Sequence, residues 1–101
     1  MKRYLLVLLE AVSAVQQTLG KHLSEAIVSW RAAPGATSYA VEVNWTPQNL
    51  TGPWTAIGSG TGRRWVVKAP TPGAQFLVRV AALGPHGEQA AWSIPVLVTA
   101  R

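Results

Sequence analysis

The sequence has no cysteine and no aspartate. Without cysteine there are no disulfides, no thiolate metal ligands and no thiol nucleophile. The compartment stays open, because cysteine-free domains work inside and outside cells. Only 13% of the 101 residues are charged, and Glu10, Glu25, Glu42 and Glu88 are the only acids. The net charge is +5, but no basic run is longer than two residues. The charge is scattered rather than gathered into a stripe, so no nucleic-acid partner is expected. No apolar run is long enough to cross a bilayer. The best has about twelve apolar-rich residues, broken by Glu10, against roughly 20 needed.

Reactive constellations are also missing. His22 and His86 stand apart, and the serines have no histidine at motif spacing. There is no phosphate-binding glycine loop, nucleophile elbow or metal-spaced cluster. His86 and Glu88 share one loop, where polar residues are normally solvated. No enzyme activity, metal or cofactor is expected. "NWT" (44–46) and "NLT" (49–51) match the N-glycosylation tripeptide, a pattern short enough to arise by chance.

What is present divides near Gly20. Residues 1–22 hold no proline or tryptophan, whereas 23–101 hold all seven prolines and all five tryptophans. Leu5, Leu8, Val12, Val15 and Leu19 are spaced three, four, three, four, which is an apolar heptad stripe. Gly20 would stop such a helix, with Lys21 and His22 at its negative end. From Tyr4 to Leu19 it would be roughly 24 Å long. Glu10 interrupts the apolar run, which argues against a cleaved signal peptide. An interfacial helix stays open, although its polar face is not basic and Lys2 and Arg3 sit at its end. A helix this short is marginal alone in water, so the stripe should pack on its own domain or on partners.

Residues 23–101 read as short strands between turns: 26–31, 38–46, 54–59, 63–69, 75–83 and 91–100. Tyr39, Val41, Val43 and Trp45 alternate to one face, as do Phe76, Val78, Val80 and Ala82. Pro95 cannot donate to a ladder and marks an edge or bulge. This spacing predicts a two-sheet antiparallel sandwich.

Several of these stretches resemble a fibronectin type III domain. They are Trp30 late in the second strand, "PGATSYAVEV", "PGAQFLVRVAAL", and a glycine followed by "WSIPV". The resemblance covers about 23–101 and implies an immunoglobulin-like fold. It departs from the family in two places. Phe76 stands where a tyrosine is usual, so that hydroxyl bond cannot form. The usual first strand also has no counterpart among the strands read. The expectation is therefore mainly β, with one N-terminal α-helix (1–22) in place of the first strand and a sandwich over 23–101.

By alternation Ala40, Leu77, Ala81, Leu83 and Leu97 point away from the core. They are either scattered surface hydrophobics or a docking face. Glu42 and Arg79 could pair there across strands. Loop tips near 33–37, 47–53 and 84–90 are the usual recognition sites of sandwiches. Trp45 and Trp54 flank a turn and either pack inward or stack on a sugar or peptide. The resemblance implies a non-catalytic structural or adhesion protein. Its partners would be other copies of itself or other structural proteins of a tailed-phage virion, at tail, neck or fibre. The rival is a secreted or surface bacterial module that recognises glycan or protein.

Overall fold

The alternation seen in the sequence becomes two antiparallel sheets in a computed structural model, which describes residues 9–101. The strands are β1 (Gln16–Leu19), β2 (Glu25–Ser29), β3 (Ser38–Asn44), β4 (Thr55–Gly60), β5 (Arg64–Lys68), β6 (Gln75–Leu83) and β7 (Val96–Thr99). One sheet has the order β1-β2-β5, the other β4-β3-β6-β7. Between them lies a core of valines and alanines, including Val28, Val41, Val43, Val78, Val80 and Val98, filled out by Trp30 and Phe76. Trp30 meets Tyr39 edge to face at 5.6 Å, and the Tyr39 hydroxyl accepts the Ala33 N–H at 3.0 Å.

The expected N-terminal helix is wrong. No helix occurs among the described residues, and Gln16–Leu19 is a strand that pairs antiparallel with β2. The first strand of the sandwich is present rather than replaced. Gly20 does not cap a helix. It turns the chain between β1 and β2, where a Cβ would collide with Glu25. Leu5 and Leu8 lie outside the described residues. The other stripe positions part company: Val12 is buried in the core, Val15 packs against it, and Leu19 is 57% exposed.

The physical reason is competition. Local spacing supports an amphipathic helix, but a helix of this length gains little alone. β2 offers a row of backbone groups that would otherwise stand unpaired at a sheet edge. Pairing residues 16–19 satisfies them, while Val12 and Val15 still reach apolar surroundings. Upstream the ladder slips. Continuing the β1–β2 register would set Ala14 opposite Arg31, but the Arg31 N–H reaches the Ser13 carbonyl instead, at 3.4 Å. The extra residue is absorbed at Ala14, whose φ is 55°. An irregular edge of this kind also discourages pairing with other chains.

Each open side of the sandwich is closed by one side chain. On one side the Gln17 amide bridges to β7: its Nε2 donates to the Thr99 carbonyl at 3.1 Å, and its Oε1 accepts the Thr99 N–H at 2.6 Å. On the other, the Trp65 ring lies across Gly58, where a Cβ would sit 2.5 Å from the indole. β3 and β4 shift register between Val41 and Glu42, which lets Ile57 pack against the core. Pro95 directly precedes β7, the last strand of its sheet. Just upstream Ser93, not Ile94, bonds Val80, another one-residue slip.

Two substitutions test this arrangement. Val12→Ala should destabilise by about 2 kcal/mol in urea unfolding, from lost burial and the cavity left behind. An exposed helical site would give the opposite sign, because alanine favours helix. Gln17→Ala should cost about 1–2 kcal/mol and speed hydrogen exchange at the Thr99 amide. An unchanged Thr99 rate would show that the clasp does not form.

Candidate functional site

The outer face of the four-stranded sheet carries a cluster of polar and aromatic side chains. β3 and β6 place Glu42 directly opposite Arg79. Both Nε and Nη2 of Arg79 donate to Glu42 Oε1, at 3.0 and 2.5 Å. The guanidinium lies 4.2 Å from the Trp54 ring centroid and 4.3 Å from that of Trp92. Arg79 is thus held between two rings, with its edge turned to a carboxylate. A planar, weakly hydrated cation suits that position better than an ammonium. The pair is only partly exposed, at 23% for Arg79 and 19% for Glu42, so screening is reduced but not removed.

This layer accounts for the neighbouring apolar residues. Leu77 and Ala81 share the Arg79 side of β6, yet they are only 6% and 0% exposed, and neither belongs to the inner core. The rings and guanidinium roof them. Leu83 is half-buried, and only Leu97, at 53%, stands open. Of the residues considered as a docking face, two are already covered by the chain's own side chains.

Trp45 and Trp54 do not come together. Trp45 packs on Phe76 at 4.9 Å, on the core side of the sheet, and is 36% exposed. Trp54 stands on Arg79, on the opposite side. They form no shared platform for a sugar. Trp92 was not singled out from the sequence. The available signal was its place in "AWSIP", just before the strand that flanks β6.

The remaining polar candidates serve the backbone. The Asn44 side chain is fully buried; it donates to the Asn49 carbonyl at 2.6 Å and accepts from the Thr46 N–H and hydroxyl at 2.9 Å each. Asn49 repeats the pattern with Thr51. Both Asn-x-Thr stretches thus build the 44–51 turn, and Asn44 has no room for a glycan. Glu88 accepts the His86 backbone N–H at 2.6 Å, which closes a tight turn. The buried Ser93 hydroxyl accepts the Val80 N–H at 2.9 Å. Among the described residues no three His or Glu side chains gather as a metal site. No helix among them is long and apolar enough to cross a membrane.

The sheet order, the buried Trp30 and the irregular approach to β7 together match one known architecture. The chain has the fibronectin type III fold. It is similar to an Fn3-like protein from Clostridium thermocellum, at 23% identity over 89% of this chain and 91% of that one, with a TM-score of 0.75. It is also similar to the FN5 domain of Drosophila Lar, at 17% identity over 92% and 97%, TM-score 0.69. A human FNIII domain matches at 24% identity over 91% and 78%, TM-score 0.72. No family model and no curated protein matches the sequence. At these identities the likeness establishes the fibronectin type III fold, and the ligand has to be read from this chain's own residues.

Replacing Arg79 by lysine keeps the charge but loses the flat stack on two rings. Arg79→Lys should lower stability by about 1 kcal/mol and increase the solvent accessibility of Leu77 and Ala81. Urea unfolding and amide exchange along β6 measure both effects.

Proposed function

We propose that this chain is a non-catalytic binding or structural module that works through protein–protein contacts. The observation that carries this is the fate of its reactive side chains. Ser93 Oγ accepts from the backbone at Val80, and the Glu88 carboxylate accepts from the backbone at His86. Neither is aligned with a second side chain as a nucleophile–base pair requires. Glu42 is committed to Arg79. The fold supports the same reading, with function carried by surfaces grafted onto a rigid sandwich.

A place in a tailed-phage tail, neck or fibre is the narrower form of this proposal. Its sequence argument leaned on an assembly helix, and β1 now occupies part of that segment. What supports it is the analogy with sandwich domains used as spacers and weak adhesins. Cross-linking and mass spectrometry on material from the native source test both levels. Fixed-stoichiometry cross-links from this chain to a neighbouring protein are expected. Cross-links within purified particles would support the virion address, and absence from the particles would remove it. Turnover of a small-molecule substrate by the purified chain would overturn the non-catalytic reading.

A further inference from the structure

The outer face of the three-stranded sheet differs from its counterpart. Ala26, Val28 and Val67 point inward and are buried, so Glu25, Ile27 and Ser29 on β2 and Arg64, Val66 and Lys68 on β5 face outward. Ile27 lies directly opposite Val66, and Ser29 opposite Arg64. No aromatic roof covers them, and Val66 is 46% exposed. A trough of about 380 Å³ runs over this face, lined by Lys21, His22, Glu25, Ile27, Arg64 and Val66. Its floor is aliphatic, Arg64 stands at one end, and Lys21 stands at the other with Glu25 beside its turn.

The basic groups have no internal carboxylate partner. All four acids of the chain are among the described residues, and Arg79–Glu42 is the ion pair formed there. Glu25 accepts the His22 backbone N–H at 3.3 Å, which turns its carboxylate toward the β1–β2 loop. Lys21 and Arg64 are thus free cations on either side of an exposed apolar strip.

We propose that this trough binds an extended acidic peptide segment with an apolar residue between two carboxylates. The spacing fits. Glu25 and Ser29 mark the Lys21 and Arg64 ends of the trough and are four residues apart on β2, about 13 Å at the usual strand rise. An extended peptide has the same rise, so acids at its first and fifth positions reach Lys21 and Arg64. The side chain at its third position then covers Val66 and Ile27. A nucleic acid fits less well. It wants a continuous cationic track and aromatic rings for its bases, whereas this lining is aliphatic and includes Glu25. The proposal rests on the reading of the chain as a binding module, and it adds a surface and a ligand class.

The test is a titration of the isotope-labelled full chain, followed residue by residue by NMR, with the end-capped peptide Glu-Thr-Leu-Thr-Glu. Saturable shifts confined to residues 21–29 and 64–68 are expected. Changing both peptide glutamates to glutamine should weaken binding about tenfold, and so should raising salt, as charge-led recognition requires. In the protein, Lys21→Glu with Arg64→Glu should have a similar effect. Val66→Ser should weaken binding about threefold with every charge intact. No saturable shift at this face, equal affinity for the glutamine peptide, or tighter binding of a thymidine oligonucleotide than of the peptide would overturn the proposal. Because the peptide change leaves the protein untouched, a folding defect cannot imitate the expected result. Failure here removes the trough as a site, whereas the cross-linking outcome decides separately whether the chain works by binding at all.

Discussion

The pairing of residues 16–19 with β2 is the constraint on which the rest of this sandwich depends. It completes the three-stranded sheet, so the backbone of β2 is bonded on both sides. It sets Gln17 beside β7, where one amide group bonds both the N–H and the carbonyl of Thr99. It also brings Val12 into a core that is otherwise closed around Trp30 and Tyr39. Remove that pairing and three losses follow together: an open edge, an unclasped side and a hole. Trp65 does the matching work on the other side, and only glycine at position 58 lets its ring lie that close.

The two outer faces solve the same problem differently. A sheet face with apolar residues must be covered, or it becomes a liability. On the four-stranded sheet the chain covers Leu77 and Ala81 itself, with Trp54, Arg79 and Trp92. Glu42 then fixes the guanidinium, so the roof is held by charge as well as by stacking. On the three-stranded sheet Ile27 and Val66 have no such roof, and the cations beside them are unpaired. The smaller sheet thus leaves the adjacent pair Ile27 and Val66 open, with Ile27 on its middle strand, whereas the open Leu97 of the larger sheet lies on an edge strand.

Much of the fold was legible in the sequence because strand alternation is a local signal. β3 and β6 fall within the stretches read, and Glu42 faces Arg79 as alternation and register require. The N-terminal segment was misread because three-four spacing satisfies a helix, and only the unpaired edge of β2 reveals that a strand is worth more there. That edge is a tertiary fact. The outward aim of Leu77 and Ala81 followed from parity, but their burial did not. It depends on long side chains arriving from Trp54, before β4, and Trp92, well downstream. Parity gives direction, and coverage needs three dimensions.

The same distinction explains why the fold is recognisable at 17 to 24% identity while no family model matches. The core asks little of each position. Val28, Val41, Val43, Val78, Val80 and Val98 need only be β-branched and of about the right volume, and many combinations around two large rings would fill the same space. The special sites are few: the clasp at Gln17, the bare Cα at Gly58, the Asn44 turn and the hydroxyl of Ser93. Each serves architecture through one or two backbone bonds or one close contact, so each can be replaced by another device without changing the topology. Phe76 shows such tolerance. It is buried without a hydroxyl to offer the corner before β6, and the topology forms all the same. The residues that architecture does not use are then free to vary for other purposes, and among the described residues those over β2 and β5 are one such group.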